Sequence, residues 1–280
     1  MRIESIPTGN LKLDGGAMFG VVPKSIWTSL NPSDENNMCN WAMRCLLVED
    51  GDRLILFDNG LGDKQSDKFF SYYYLNGDDS LKGSLNGLGV GFEDITDVVL
   101  THLHFDHCGG SVNRVGDKLE TAFPNAVYWS HKDHWETAIN PNAREKASFL
   151  KENMLPIQEN GQLKFIGEDL RISDNIDVFI ANGHTEAMMI PKINYKGKTI
   201  VFAADLIPSA AHIPVNYVMA YDVQPLISMQ ESEVFLKECV DNDYTLFFEH
   251  DLINECGKVK KTDRGFRLDR THDLKEFLNI

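Results

Sequence analysis

The sequence predicts a layered α/β domain, and three observations predict it. Short apolar runs ending in acidic or histidine residues recur along the chain, stretches of helical spacing fall between them, and polar, glycine-rich turns separate the two. Sheets and helices each have an apolar face to bury, so this alternation stacks helices on sheets.

Taken in order, residues 43–50 and 53–60 read as paired strands around the turn Asp50-Gly51-Asp52. Residues 95–102 are a continuous apolar run of the kind found in a buried strand. Residues 126–131 form a further strand, and 132–139 after it have helical character. Strands at 177–184, 198–205 and 244–250 complete the set. Residues 228–243 have helical spacing that puts Val234, Phe235 and Cys239 on one face. Segments 14–40 and 62–91 carry aromatic and apolar residues among Gly and polar residues without a clean period. Such segments are active-site walls or lids, or else surface insertions or a dimer contact.

At 280 residues the chain suits a single domain spanning 1–280. With 27 Lys+Arg against 42 Asp+Glu, the formal charge is -15, which disfavours nucleic acid as a partner. No apolar run follows Arg2, so no signal peptide is expected, and no run approaches the roughly 18–20 apolar residues of a membrane span. The five cysteines form no C-x-x-C pair. They read as free thiols in a reducing cytoplasm rather than as ligands.

The chemistry concentrates in Thr101-His102-Leu103-His104-Phe105-Asp106-His107-Cys108-Gly109-Gly110. Four ligand-type residues follow one another directly after an apolar run. On a strand continuation His102 and His104 point the same way. Asp106 and His107 stand where a loop can turn back, and the Gly pair permits a tight path. A lone histidine is more often structural than ligating; four ligand types in this order are not. His184, Asp205 and His250 each close a predicted strand, where functional groups of α/β sheets gather. Five imidazoles and two carboxylates without a thiolate suit zinc, or iron or manganese. Seven ligands exceed the needs of one tetrahedral ion, so two divalent ions are expected.

The run H-x-H-x-D-H at 102–107, with Gly183-His184, Asp205 and His250 downstream, resembles the metallo-β-lactamase superfamily from residue 43 to residue 250. The resemblance implies an αββα sandwich with its site along one edge. It implies that His102, His104 and His184 hold the first ion, that Asp106, His107 and His250 hold the second, and that Asp205 bridges them. Asp58, in FDNG, resembles the family's acidic residue that orients a ligand from behind.

Branches of the superfamily can be trimmed on the same residues. The zinc β-lactamases proper lack a carboxylate at the Asp205 position, the flavin-linked branch has Glu where His104 stands, and a nuclease would be ill served by the charge. Lactonases, thioesterases of the glyoxalase II kind and phosphotriesterases remain. The stretch KLDGGAMFGVVPKSIW resembles one that lies across the active-site mouth in quorum-quenching N-acyl-homoserine lactonases. This implies a cleft wall of Met18, Phe19, Val21, Val22, Ile26 and Trp27, with core packing as the other role open to them. Those lactonases place a Tyr three residues after the bridging Asp, where this chain has Pro208. His212, then Tyr217, are the expected substitutes. The expected reaction is lactone opening by a metal-bridging hydroxide, with one metal and His212 or Tyr217 steadying the oxyanion and Asp205, or the water it holds, passing a proton to the leaving alkoxide. The partner is a small lactone or ester, with a homodimer open and no membrane, nucleic acid or organic cofactor required. A non-catalytic binding protein would have lost ligands that this chain retains. His131 and His134 are assigned to a helix start, and His272 to solvent.

Overall fold

A computed structural model describes residues 1–279. The strands are β1 (Arg2–Asp14), β2 (Met38–Asp50), β3 (Arg53–Phe57), β4 (Asp97–Val99), β5 (Val112–Val115), β6 (Lys118–Thr121), β7 (Val127–Ser130) and β8 (Leu163–Phe165), followed by β9 (Arg171–Ser173), β10 (Ile176–Ala181), β11 (Met188–Tyr195), β12 (Lys198–Phe202), β13 (Thr245–Phe247), β14 (Cys256–Thr262) and β15 (Gly265–His272). The helices are α1 (Gly15–Phe19), α2 (Lys24–Trp27), α3 (Asp67–Ser71), α4 (Leu81–Gly87), α5 (Phe105–Cys108), α6 (Lys132–Ile139), α7 (Lys151–Glu159), α8 (Pro225–Asp241) and α9 (Leu274–Leu278). One sheet has the order β1-β2-β3-β4-β7-β8, a second the order β15-β14-β13-β12-β11-β10-β9, and β5-β6 is a separate hairpin.

Period-two alternation explains the layering. Along β2, Leu46 and Val48 face the second sheet, where they join Ile190, Val201, Phe202 and Phe247 in one buried cluster. Cys45 and Leu47 point the other way, into a cluster with Leu85 of α4, Trp135 and Ala138 of α6, and Met154 and Ile157 of α7. Both faces are therefore buried, and the strand reads as continuously apolar. Phe57 meets Phe202 across the sheets at 6.1 Å between ring centroids. Each such buried side chain is worth about 1.5–3 kcal/mol. On the second sheet, α8 buries Phe235, Leu236 and Cys239. The layers run helix, sheet, sheet, helix.

Sequence and structure differ in several places. Val234 is 61 % exposed, because Phe235 and Cys239, four apart, already define the buried stripe of α8. β1 escapes detection because its register shifts between Pro7 and Asn10, which breaks the alternation of Ile3, Ile6 and Leu11. β11 is masked by Pro191, which lies just beyond the stretch, Lys192–Tyr195, that pairs with β12. β14 and β15 are masked by their charge, and His272, assigned to solvent, ends β15 at 9 % exposure.

The predicted strands at 95–102, 177–184, 198–205 and 244–250 stop at Val99, Ala181, Phe202 and Phe247. Each ligand-type residue lies in the loop that follows. β10, β12 and β13 run in one direction, so their carboxyl ends share an edge of the sheet.

Candidate metal centre

The edge is built from four loops. His102 and His104 follow β4 in irregular backbone, not on a strand continuation, and His104 precedes the single turn of α5 that carries Asp106 and His107. The loop is fixed from both sides. Met189 N donates to Thr101 O at 2.8 Å, and Asn59 N donates to His107 O at 2.9 Å. Glycine is required next: a Cβ on Gly109 would lie 2.0 Å from Leu61 O, and one on Gly110 2.3 Å from Asn59 O. His184 follows β10 and His250 follows β13. Asp205 follows β12, immediately after Ala204 at φ 42°. A non-glycine residue held there costs about 1–3 kcal/mol, which the surrounding structure must offset.

The seven residues form two clusters. His102, His104, His184 and Asp205 make one; Asp106, His107 and His250 make the other; within each, the ligand atoms lie within 4.8 Å of one another. Asp205 stands between them. Its Oδ2 is 3.1 Å from His184 Nε2 and 3.9 Å from His102 Nε2. Its Oδ1 is 3.1 Å from His250 Nε2 and 3.6 Å from His107 Nε2. His104 turns Nδ1 inward, 3.2 Å from His184 Nε2. Asp106 Oδ2 lies 3.9 Å from His107 Nε2. His102 Nε2 and Asp205 Oδ1 are buried without a hydrogen-bond partner. Such orphaned atoms cost about 1–3 kcal/mol each unless something satisfies them. Their convergence fits two cations.

Four of the five imidazoles are held from behind by hydrogen bonds, and His104 faces a carboxylate there. His102 Nδ1 is 3.1 Å from Thr101 Oγ1, which itself donates to Asp58 Oδ2 at 2.6 Å. His104 Nε2 is 3.8 Å from Glu145 Oε1. His184 Nδ1 is 2.9 Å from Asp222 Oδ1. His250 Nδ1 donates to Ala42 O at 2.8 Å. His107 Nδ1 faces two carboxylates, Asp58 and Glu249. Asp58 sits at φ 54° after β3 and so touches both clusters, directly at His107 and through Thr101 at His102. Partners of this kind fix ring orientation and tautomer.

The electrostatics agree with a cation site. Burial alone would raise the Asp205 carboxyl, but His107, His184 and His250 hold it well below the usual range. Burial would lower His184 and His250; Asp205 above all pushes them up, to about 10 and about 9. His107 is raised against burial by Glu249, Asp205 and Asp106. His102 is lowered by burial and by its neighbouring imidazoles, which keeps it in the neutral, ligating form. Glu145, despite burial, is drawn down to about 2 by His104 and Thr185. Burial raises Glu249 to about 8; the pull of His107 is countered by Asp58. Six buried carboxyl groups around five imidazoles are a negative charge distribution that two dications would largely offset.

The other predicted residues lie elsewhere. His212 is 3 % exposed, its ring stacked on Phe19 at 4.7 Å. Its Nε2 donates to Met18 O at 2.9 Å, and its Nδ1 accepts from Ser209 Oγ at 2.7 Å. Both nitrogens are used, so the expected oxyanion donor has nothing left to donate. Tyr217 packs edge-on against Phe19, and both His212 and Tyr217 border a narrow crevice behind Asp205. Phe19 and Trp27 are fully buried plugs with Trp41, whereas Val21 and Ile26 are exposed; of that segment, Met18 reaches the cleft. His131 caps α6, and His134 is a buttress: its Nε2 accepts from Leu103 N at 2.8 Å and its Nδ1 donates to Glu186 O.

A cleft of about 350 Å³ opens over the clusters. His104, Asp106, His184, Asp205 and His250 form its floor; Leu13, Met18, Tyr73, Phe105, Met219 and Tyr221 form apolar and aromatic walls, with Arg144 and Glu145 at one side. Tyr73 comes from segment 62–91. Burial and the Asp106 charge push its hydroxyl up to about 12, and desolvation with the same charge holds Tyr221 above the usual phenol range. Sequence reasoning missed Glu145, Asp222, Glu249 and Tyr221, and marked Tyr73 only through its segment, 62–91. Of the four, Glu249, adjacent to His250, carried a signal; the others lie in loops without period.

An αββα sandwich with a histidine- and aspartate-lined edge defines a class of metal-binding proteins. The chain belongs to the metallo-β-lactamase superfamily, whose sequence pattern matches residues 44–250. A probable metal-dependent hydrolase from Staphylococcus aureus is 29 % identical, with a TM-score of 0.87 over 96 % of this chain and 95 % of that one. AidC, a dizinc quorum-quenching lactonase bound to a product, is 22 % identical, with a TM-score of 0.80 over 97 % and 95 %. The N-acyl homoserine lactonase of Bacillus cereus is 24 % identical over 194 residues; the match spans 66 % of this chain and 66 % of that relative's length.

Proposed function

We propose that this protein is a metal-dependent hydrolase that holds two divalent ions, with zinc as the expected metal, and opens the ring of N-acyl-homoserine lactones. One observation carries the two-ion reading: the two oxygens of Asp205 face different histidine clusters, Oδ2 toward His184 and His102, Oδ1 toward His250 and His107. The similarity to lactonases and the apolar cleft walls support the substrate class. Bound divalent ions would supply Lewis acidity and an ionised water near neutral pH.

The chain's own residues do the rest. Leu13, Met18, Phe105 and Met219 offer an apolar wall to an acyl chain. Tyr73 and Tyr221 keep their protons at working pH, so each can donate to charge developing on the carbonyl oxygen. Tyr221 takes the role expected of His212 and Tyr217. Asp205, kept ionised by three imidazoles, or a water that it holds, passes the proton to the leaving alkoxide. Residues 1–280 act as one unit, with segments 14–40 and 62–91 each giving a residue to the cleft. Among the described residues no helix is long and apolar enough to cross a membrane. The five buried free cysteines suit a reducing compartment, the basis for proposing a cytoplasmic enzyme.

The test is elemental analysis followed by a substrate panel. Protein never exposed to chelator should carry between one and two divalent ions per chain. It should turn over N-acyl-homoserine lactones faster than aryl phosphotriesters or thioesters. Faster phosphotriester hydrolysis would transfer the same site to that chemistry, and a metal content near zero would end the two-ion reading.

A further inference from the structure

Five imidazoles line the two clusters; three have a single hydrogen-bonded outer partner, Thr101, Asp222 or Ala42 O, and His104 faces Glu145 at 3.8 Å. His107 has two. Its Nδ1 lies 3.0 Å from Asp58 Oδ2 and 3.1 Å from Glu249 Oε2. A neutral imidazole that ligates through Nε2 has one N–H at Nδ1, and one carboxylate is enough to orient it. Asp58 is equipped for that task, because Thr101 N and Thr101 Oγ1 also donate to it at 2.8 and 2.6 Å and fix its position. Glu249 has no such anchors. It is fully buried, and neither of its oxygens has a hydrogen-bond partner.

The side chain is also not what holds its own strand end. Glu249 O accepts from Arg44 N at 3.0 Å, and Arg44 Nη1 donates to Phe248 O and Asp251 O at 2.8 Å each. The guanidinium thus spends these bonds on carbonyls on either side of Glu249. A buried carboxyl group that neither orients a ring alone nor ties the backbone acts through charge once a cation beside it favours the ionised form, and the protein interior screens that charge weakly. It makes the two clusters unequal. Around the first stand Asp205, Glu145 and Asp222, with Asp58 one residue removed behind Thr101; in direct contact with the second stand Asp106, Asp205, Asp58 and Glu249.

We propose that Glu249 is a positioning residue for the second ion: acting through His107, its buried carboxylate selectively strengthens cation binding at the Asp106–His107–His250 cluster. The inference rests on the two-ion reading and is independent of the substrate.

The experiment is stepwise zinc binding by chelator competition at fixed pH, on the full chain and on Glu249→Gln, which keeps the shape and removes the charge. Affinity for one of the two ions should fall about 10–100-fold, the usual range for loss of an outer partner, while the other stays within about threefold. In cobalt-loaded protein, the visible bands of the weakened site should shift while those of the other stay. Glu249→Asp, which keeps a carboxylate, should recover part of the loss. Both affinities unchanged in Glu249→Gln overturn the proposal. So does an equal loss of both affinities, the mark of a merely structural residue. Uptake of a single ion by the unsubstituted protein removes the two-ion reading itself, and that result needs no variant to be seen.

Discussion

His212 and the five cluster histidines are all buried imidazoles close to the same carboxylate, yet they do different work. His212 uses both nitrogens on fixed protein atoms, Met18 O and Ser209 Oγ. His134 does likewise with Glu186 O and Leu103 N. Each cluster histidine turns one nitrogen toward an outer partner and the other toward its fellow ligands. The lesson is that burial and proximity do not mark a ligand; a nitrogen left free by the protein does. A second contrast follows along the cleft, between Phe19 and Trp27, which plug the core, and Met18 and Tyr73, which reach the cavity.

The largest expected effect comes from Asp205→Ala. It removes the one group shared by both clusters, so metal content should drop from about two ions to below one per chain, with activity lost alongside. Full occupancy in that variant, by elemental analysis, would mean that the clusters are independent.

Next comes the pair Tyr221→Phe and His212→Ala. Loss of one oxyanion donor typically lowers kcat by roughly 10² to 10³. Tyr221→Phe should show that loss at unchanged metal content. His212→Ala should leave kcat of the folded enzyme nearly intact and instead cost about 2–4 kcal/mol of stability, from a cavity and two stranded polar groups. The reverse pattern, read from kinetics and urea melts together, would restore His212 to the chemistry.

The cleft contrast predicts a smaller, graded effect. Met18→Ala and Tyr73→Ala should penalise long-chain lactones more than short ones, because each buried CH₂ contributes about 0.8 kcal/mol. Phe19→Ala and Trp27→Ala should lower stability by about 3–5 kcal/mol and affect all chain lengths alike. A chain-length dependence in the Phe19 variant would return that ring to the cleft wall.

The smallest effect is in pH. Burial lowers His212 to about 4, against an unfolded value of about 6.5. The folded state favours the neutral ring, so the stability it lends is complete above about pH 6.5 and drains away as pH falls toward about 4. The gap between the wild type and His212→Gln should shrink by up to about 1.4 kcal/mol per pH unit across that window. Comparing the two proteins cancels effects common to both, acid loss of metal included. A gap that stays constant would mean that His212 is not held neutral.

What could be read from the sequence follows physical rules. Residues 102–107 were legible because a loop with four ligand types after an apolar run has few other uses. His184, Asp205 and His250 were legible because β10, β12 and β13 deliver them from strand ends. The outer partners were not. Glu145 and Asp222 act from irregular loops, where no period indicates which way a carboxylate points, and Tyr221 reaches the cleft from the same kind of backbone. His212 misled because spacing after Asp205 put it near the site without revealing that Met18 O and Ser209 would claim its ring. In the fold, the strands with clean apolar patterns were visible, while β1, β11, β14 and β15 were hidden by a bulge, a proline or surface charge.

In the folded protein, His102 and His104 belong to one cluster and Asp106 and His107 to the other, although the four are neighbours in the chain. An unfolded chain meets no such division. There the segment 102–107 is a compact chelator, able to wrap all four donors around a single ion. Zinc that arrives early would therefore hold together residues that folding must part, and binding to the unfolded chain erodes the stabilisation that metal gives the native state. The correct partition needs His184, Asp205 and His250, brought in by distant strands whose pairing is intrinsically slow. Refolding should then be quicker when metal is added after collapse than when excess zinc is present from the start, a difference that stopped-flow fluorescence would register.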